Sequence, residues 1–221
     1  MSEEGSQRHS VALEADLISD ADLKAQAEAR NGLRQFDVAM EMVEAFLQPD
    51  RPFKLRPSHI LTLHRAALEN ISAYAGNYRP GSVEINGSQH VPLGAHLVPE
   101  LIEEMCDYVN DHWQDRNAFH LAAYLMWRLN WIHPFADGNG RTSRILSYMV
   151  LCIKTGVRFP GRKTIPEQIA EDRRPYFAAL DAADAAWKKT QQVDVSVMEK
   201  LVETLLGQQL YTLVEQARGG D

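Results

Sequence analysis

The sequence predicts an all-α protein, a compact helical bundle that carries one β-hairpin. Over most of the 221 residues, apolar side chains recur at three- and four-residue steps, the spacing of one face of a helix. One segment, SVEINGSQHVP at 82–92, instead alternates apolar and polar residues around an Asn-Gly pair. Asn-Gly between short alternating runs is the strongest local signal for a hairpin turn, so this segment predicts the only β-structure.

The helical pattern divides into segments, and two of them begin with a recognisable start signal. Asp20 can cap the first helix, and Pro57 followed by a serine is typical of the first turn of the second. The predicted helices span residues 20–48, 57–71, 96–112, 117–131, 139–154, 166–186 and 194–217.

We expect a single domain over residues 1–221, because a chain of this length can bury a core without disulfide or metal support. Residues 1–19 would form an N-terminal segment, about 20–186 the core, and about 193–217 a C-terminal helix. The apolar stripe of that last helix favours packing on its own domain, and a homo-oligomer contact is the alternative.

Composition disfavours several classes of partner. The net charge is −7 and no basic block occurs, whereas nucleic-acid binding requires clustered positive charge. The first ten residues are acidic and polar, unlike a signal peptide, and no stretch approaches the roughly 18 apolar residues of a membrane span. Cys106 and Cys152 lie in apolar helical segments without a CxxC spacing, which favours two buried thiols in a reducing compartment. We therefore expect a cytoplasmic protein that binds neither nucleic acid nor membrane.

The stretch HPFADGNGRTSR at 133–144 carries the chemistry of this sequence. Gly138 and Gly140 allow positive φ, so that successive backbone N–H groups can converge on an anion. A helical pattern follows, and the N-terminus of a helix favours a phosphate group. Arg141 and Arg144 project from one side of that helix and can hold two phosphates of a polyphosphate.

Two further side chains of this stretch suit phosphate chemistry. Asp137 can bind Mg²⁺ through a carboxylate oxygen while phosphates supply other ligands. His133 can take a proton from an attacking hydroxyl near neutral pH. The set predicts a metal-assisted phosphoryl- or nucleotidyl-transfer site.

The predicted hairpin would leave an open strand edge at Val83, Glu84 and Ile85. Such an edge can accept an extended peptide from a partner protein. A purely structural loop is the alternative interpretation.

The twelve residues resemble the signature of Fic-domain proteins, His-x-Phe-x-(Asp/Glu)-Gly-Asn-Gly-Arg-x-x-Arg, at every specified position. The resemblance extends more diffusely over residues 10–186, and the hairpin is similar to the family's target-positioning flap. It implies a bundle of the Fic type that transfers AMP from ATP to a Ser, Thr or Tyr hydroxyl of a target protein docked on the flap. The implied cofactors are ATP and Mg²⁺.

The resemblance also implies a role for each motif residue. His133 would be the general base, Asp137 would hold Mg²⁺, Arg141 would contact the β- and γ-phosphates, and Arg144 the γ-phosphate. The phosphate cradle would comprise Gly138, Asn139 and Gly140.

A built-in brake is suggested by SVALEA at 10–15, which is similar to the family's inhibitory helix, (Ser/Thr)-x-x-x-Glu-(Gly/Asn). Ser10 and Glu14 fit this pattern, whereas Ala15 departs from it. Glu14 would pair with Arg144 and so compete with a phosphate oxygen. A capping pair on a solvated first helix is the alternative.

Two other functions remain open from the sequence. Some family members remove AMP from a target with the help of the inhibitory glutamate. A binding module that senses ATP without chemistry is the second alternative, although pure binding requires no base at His133.

Overall fold

The computed structural model describes residues 8–11, 17–161 and 163–218 as a helical bundle with one small two-stranded sheet. Within these residues the elements are β1 (His9–Val11), α1 (Ala21–Phe46), α2 (Pro57–Leu68), β2 (Glu84–Asn86), α3 (Val98–Asp111), α4 (Ala118–Ile132), α5 (Asn139–Thr155), α6 (Ile165–Glu171), α7 (Arg174–Thr190) and α8 (Ser196–Arg218). A single 3₁₀ turn (Ala95–Leu97) precedes α3. The mostly helical fold confirms the predicted class.

The centre of the bundle is the pair formed by α4 and α5, which is buried on nearly all sides. Leu125, Met126, Leu146 and Met149 have no exposed surface. Both helices are enclosed by their neighbours, and the first turns of α5 also bury polar side chains, among them Thr142, Ser143 and Arg144. The loop that joins them, 133–138, therefore sits at one end of the core on a rigid base.

Helix α1 begins where the sequence predicts. The Asp20 side chain accepts a hydrogen bond of 2.9 Å from the backbone N–H of Leu23, which satisfies one free donor of the first turn. Two buried amides then fasten α1 to α2. Asn31 donates to the carbonyl of Glu69 at 2.8 Å, and Gln35 donates to the carbonyl of Leu63 at 3.1 Å.

The single helix predicted over 166–186 is wrong, because α6 ends at Glu171 and α7 begins at Arg174. Pro175 lies within the predicted helix and sits in the first turn of α7. A proline has no N–H and clashes with the preceding helical turn, so it is tolerated at a helix start but not in the middle. Asp172 is extended between the two helices.

The hairpin predicted over 82–92 is only half formed. The turn is present, with Gly87 at φ 75°, but only Glu84–Asn86 form a strand. The second arm does not pair, because the backbone N–H of His90 donates to Oγ of Ser88 at 3.2 Å and Pro92 has no N–H to offer. The ring of His90 donates from Nε2 to the carbonyl of Trp131 at 2.7 Å. Strand β2 pairs instead with β1, antiparallel, with Ser10 opposite Ile85.

The stripe of α8 packs on its own domain as far as Leu206. Met198, Val202 and Leu206 are buried, and the buried amide of Gln209 donates to the hydroxyl of Tyr148 at 2.9 Å. Both cysteines are free and buried, as predicted. None of the helices in the described part of the chain combines the length and the apolar character that crossing a membrane requires.

Candidate active site

His133 ends α4 in a left-handed conformation, at φ 52° and ψ 58°. Its backbone N–H still donates to the carbonyl of Leu129 at 2.9 Å, so the helix closes normally while the chain turns into the loop. Nonglycine residues rarely adopt this conformation, which carries a cost of about 1 kcal/mol or more. The surrounding structure therefore has to hold His133 in place.

The ring of His133 has one defined tautomer. Its Nδ1 lies 3.2 Å from the carbonyl oxygen of Asn130, and because a carbonyl only accepts, Nδ1 carries the proton. Nε2 is then left with a free lone pair. Nε2 lies 2.8 Å from Oγ of Ser10, so the serine hydroxyl donates a hydrogen bond to this lone pair. The geometry is that of a base accepting a proton from a hydroxyl.

Burial keeps this ring neutral. His133 is 5% exposed, and desolvation lowers its pKa from 6.5 to about 4, reinforced by the nearby charges of His90 and Arg79. The Asn130 carbonyl and Asp137 oppose this shift but do not cancel it. A base with this pKa is fully unprotonated at neutral pH.

Arg79 binds the backbone carbonyl of His133 on the side away from the cavity. The sequence does not predict this role of Arg79. Its Nε donates to the carbonyl of His133 at 2.8 Å, while its two terminal nitrogens donate to the carbonyls of Gly81 and Leu93 at the two ends of the flap segment. The side chain is 3% exposed. One guanidinium thus ties the base to the flap. A lone arginine before a proline gives no spacing signal that could have revealed this.

Asn139 closes the loop on itself. Its Oδ1 accepts from the N–H of Phe135 at 2.9 Å and its Nδ2 donates to the carbonyl of Phe135 at 2.8 Å. Buried Phe135 also stacks on His64, with ring centroids 3.6 Å apart. The Asn139 side chain therefore shapes the loop, and its second N–H donates to Oγ of Ser10 at 3.3 Å.

His64 supports the loop from α2 and was also missed as a site residue. Its Nδ1 accepts from the N–H of Gly76 at 3.0 Å, so its Nε2 carries the proton and donates to the carbonyl of Asp137 at 3.0 Å. Burial lowers its pKa to about 4. The neutral ring of His64 therefore joins α2 to the loop at Asp137 through a hydrogen bond.

Gly138 and Gly140 of the motif each require the absence of a side chain, but for different reasons. Gly138 has φ 78° and precedes the first residue of α5, as predicted. Gly140 is helical and does not use the positive φ that a glycine allows. A Cβ at Gly140 would lie 3.1 Å from Nη1 of Arg144, so the missing side chain leaves room for that guanidinium.

Asp137 and Arg141 form an ion pair beside the helix start. Oδ2 of Asp137 accepts from Arg141 at 2.8 Å, and Oδ1 accepts from the N–H of Gly138 at 2.6 Å. Glu28 on α1 lies 3.6 Å from the other terminal nitrogen of Arg141. The Asp137 side chain is still 48% exposed, so one face of its carboxylate is open.

Arg144 lies one turn further into α5 and is almost fully buried. Burial lowers the pKa of Arg144, and nearby Tyr176 on α7 opposes this shift. Nothing in the described residues places a carboxylate on this guanidinium. Tyr176 is in turn held by Asn130 at 2.7 Å and Ser143 at 3.2 Å. Among the described residues, Arg144 is thus a buried cation with no carboxylate beside it.

These groups surround one cavity of about 370 Å³. The cavity is lined by His133, by the loop from Asp137, by the first turn of α5 and by Arg144. Two further cations, Arg8 and Arg173, lie on its wall, with Phe177 and Leu180 on the apolar side. The free N–H groups of the first turn of α5 add to this positive field. The cavity suits an anionic ligand that also carries an apolar group.

The residues also fit a Mg²⁺ ion of the kind that binds with phosphates. Asp137 offers an exposed carboxylate at the cavity, and residues 8–11, 17–161 and 163–218 contain no cluster of three or more acidic, histidine or cysteine ligands. Mg²⁺ commonly uses one or two protein carboxylates and completes its shell with phosphate oxygens and water. A single open carboxylate beside the N-terminus of a helix, where a phosphate is favoured, meets that requirement.

The three flap residues predicted from the sequence have different surroundings: the core, solvent and the cavity. Val83 is 5% exposed and packs inward, Glu84 is exposed, and Ile85 lines the cavity. Ser10, predicted as part of an inhibitory helix, lies in β1 instead, so a helical Ser10 is wrong. Glu14 and Ala15 lie outside the described residues.

Residues 54–151 match the model of the Fic/DOC family, a range that includes α2, the flap, α4 and most of α5. The protein carries a Fic domain. All the motif residues described above lie within the matched range, together with Arg79 and His64.

Among curated proteins, this Fic domain is similar to the protein adenylyltransferase Fic of Drosophila persimilis. The two are 31% identical over 156 residues, which cover 65% of this chain and 30% of the relative. The protein adenylyltransferase fic-1 of Caenorhabditis briggsae is 28% identical over 189 residues, covering 80% of this chain and 36% of the relative. The chain spans about a third of the length of these relatives.

Solved structures share the fold over nearly the whole chain. Residues 134–508 of Fic-1 from C. elegans superpose with a TM-score of 0.68 at 20% identity, covering 92% of this chain and 55% of that one. A Fic-domain signalling protein from Bacteroides thetaiotaomicron gives the same TM-score and identity and covers 91% of this chain and 76% of its own. At this identity the likeness supports the Fic fold alone.

Proposed function

We propose that this domain is a protein adenylyltransferase, which transfers AMP from ATP to a hydroxyl side chain of a protein and releases pyrophosphate. The observation that carries the proposal is the geometry of His133, a neutral buried base whose Nε2 lies 2.8 Å from a hydroxyl at the edge of a cationic cavity. The relatives named above as protein adenylyltransferases support the same reaction.

In this reaction His133 removes the proton of the acceptor hydroxyl at Nε2. The hydroxyl oxygen forms a bond to the α-phosphorus of ATP, and the bond from that phosphorus to the bridging oxygen breaks. Pyrophosphate leaves, and the proton on His133 passes to solvent. The proton on Nδ1 stays there throughout, donated to the Asn130 carbonyl, and this hydrogen bond keeps the ring in the orientation that the transfer requires.

The phosphates would be held at the start of α5. The backbone of Gly138, Asn139 and Gly140 would form the cradle, for which the Gly138 N–H must leave Oδ1 of Asp137. Arg141 would contact the β- and γ-phosphates, and Arg144 the γ-phosphate. Asp137 would bind Mg²⁺, which neutralises phosphate oxygens when bound. For this, Arg141 must exchange its bond to Asp137 for a phosphate oxygen, a favourable exchange for a guanidinium.

The protein substrate would dock on β2 through Val83, Glu84 and Ile85. An extended segment can add to this edge by backbone hydrogen bonds, which requires no particular target sequence. The pairing of β1 with β2 supports the capacity of this edge to bind a strand.

We also propose that Glu14 inhibits the enzyme by pairing with Arg144. Arg144 is a buried cation without a carboxylate partner in the described residues, and such a group favours an anion. Glu14 is four residues from Ser10, and an extended chain covers at most about 3.5 Å per residue. Glu14 therefore lies within reach of this site. A Glu14–Arg144 pair would take the position of the γ-phosphate.

The test is covalent labelling of lysate proteins with ATP labelled at the α-phosphate. We expect transfer by the wild-type chain, faster transfer by Glu14→Gly, and a loss of 100-fold or more in His133→Ala, in line with the usual contribution of a general base. Equal labelling by the wild type and His133→Ala would contradict the proposed reaction. Equal labelling by the wild type and Glu14→Gly would contradict the proposed inhibition by Glu14 but not the proposed reaction.

A further inference from the structure

The target-binding edge of the flap is already filled by the chain's own N-terminal strand. Residues 9–11 pair antiparallel with β2, with His9 opposite Asn86, Ser10 opposite Ile85 and Val11 opposite Glu84. This is the edge at which a protein substrate would dock. The occupant therefore has the backbone geometry of a bound target peptide.

Within this strand, Ser10 has the surroundings that an acceptor hydroxyl needs. Its O–H donates to Nε2 of His133 at 2.8 Å, and its oxygen accepts from Nδ2 of Asn139 at 3.3 Å. The oxygen keeps a second lone pair for attack. Ser10 also lines the cavity beside Gly138 and Arg144, so its hydroxyl faces the space where the proposed nucleotide would lie.

A second contact holds the strand in place. Arg8 donates to Asp181 on α7 at 2.7 Å, and its guanidinium lies 4.8 Å from the centre of the Phe177 ring. A single ion pair near the surface contributes little by itself. Combined with the ladder between β1 and β2, it fixes both sides of Ser10. The reacting groups are therefore held together in one molecule, which raises their effective concentration.

We propose that Ser10 is an acceptor for AMP within its own chain. This inference rests on the proposed function and deepens it by naming one hydroxyl that the site modifies. The Ser10 oxygen bonds to the α-phosphorus of ATP, its proton moves to Nε2 of His133, and pyrophosphate leaves. The transfer is intramolecular, because β1 and the base belong to the same molecule in the structure.

The experiment follows label from ATP onto the full-length chain, in the wild type and in Glu14→Gly, with mapping of the modified residue by mass spectrometry. We expect AMP on Ser10, with a rate constant unchanged over a tenfold range of protein concentration. Ser10→Ala loses this label and Ser10→Thr retains a hydroxyl and keeps it. Ser19→Ala, an exposed serine nine residues away, is the matched control and labels like the wild type.

A mixing experiment separates transfer within a chain from transfer between chains. His133→Ala, which keeps Ser10, is combined with Ser10→Ala, which keeps the base. We expect no AMP on Ser10 of the His133→Ala chain, and its appearance there would overturn the intramolecular step. If lysate proteins gain label but Ser10 does not, the inference is overturned while the proposed function stands. If neither gains label, the proposed function fails.

Discussion

At the residue scale, the properties of the base come from the backbone around it. His133 is held in the left-handed region, where its Nδ1 meets the Asn130 carbonyl and its Nε2 faces the cavity. This costly conformation persists because Arg79 binds the carbonyl of His133 and the ends of the flap at once. The functional ring is therefore positioned by a residue that does not touch the cavity.

Arg79→Lys tests this positioning role. A lysine keeps the charge but cannot reach three carbonyls from one planar group, so we expect at least tenfold slower AMP transfer and a free energy of unfolding lower by about 1–3 kcal/mol. Labelling with ATP and urea unfolding measure the two effects. Arg116→Lys, at an exposed position, is the matched control. AMP transfer by Arg79→Lys at the wild-type rate would show that the three hydrogen bonds of Arg79 do not position His133.

At the element scale, the start of α5 forms the side of the cavity that we propose binds phosphate. Gly138 turns the chain from the loop into the helix with positive φ, and Asn139 fixes the loop that precedes the turn. The helix end then points its free N–H groups into the cavity, with Arg144 one turn behind. The position of this helix start depends on one backbone conformation.

Gly138→Ala tests that dependence. An alanine there is strained at φ 78°, and its Cβ would lie 3.0 Å from Cδ2 of Leu68, so we expect a loss of about 1–3 kcal/mol in unfolding free energy and weaker ATP binding. Gly32→Ala is the control, because this exposed position within α1 has open space around it and should gain about 0.5–1 kcal/mol. Equal effects of the two substitutions would contradict this account of Gly138.

At the scale of the whole molecule, the site is where distant parts of the chain meet. The loop between α4 and α5 supplies the base and the anion-binding turn, α2 supplies His64, and α7 supplies Tyr176. The N-terminal strand closes the same space from outside. A target strand can take the edge of β2 that β1 fills only after β1 leaves, so under the proposed function β1 competes with the target for this edge.

The buried neutral His133 also makes global stability depend on pH. Its pKa is about 4 in the folded chain and about 6.5 when exposed, so between these values the unfolded chain takes up a proton that the folded chain does not. The unfolding free energy therefore falls as pH falls from 6.5 to 4, by about 1.4 kcal/mol per pH unit for this group, and this contribution is constant above 6.5. His133→Asn should show a slope shallower by that amount in urea unfolding at pH 7, 6 and 5. Identical slopes would show that the ring is not buried as a neutral group.

What the sequence determined by itself is the local chemistry and the helical class. Apolar spacing depends on the period of the helix, and the motif residues lie within twelve positions, so both are visible without a fold. The break at Pro175 was also accessible, because proline in a helix interior carries a local penalty.

Tertiary structure alone decided the strand partner of the flap and the supports behind the base. The hairpin turn formed as the local pattern indicates, but β2 pairs with a strand 75 residues before it, where Ser10 faces Ile85. Arg79 and His64 likewise act through carbonyls far along the chain. Such pairings depend on which backbone groups the packed helices bring together, and no short-range pattern encodes that distance.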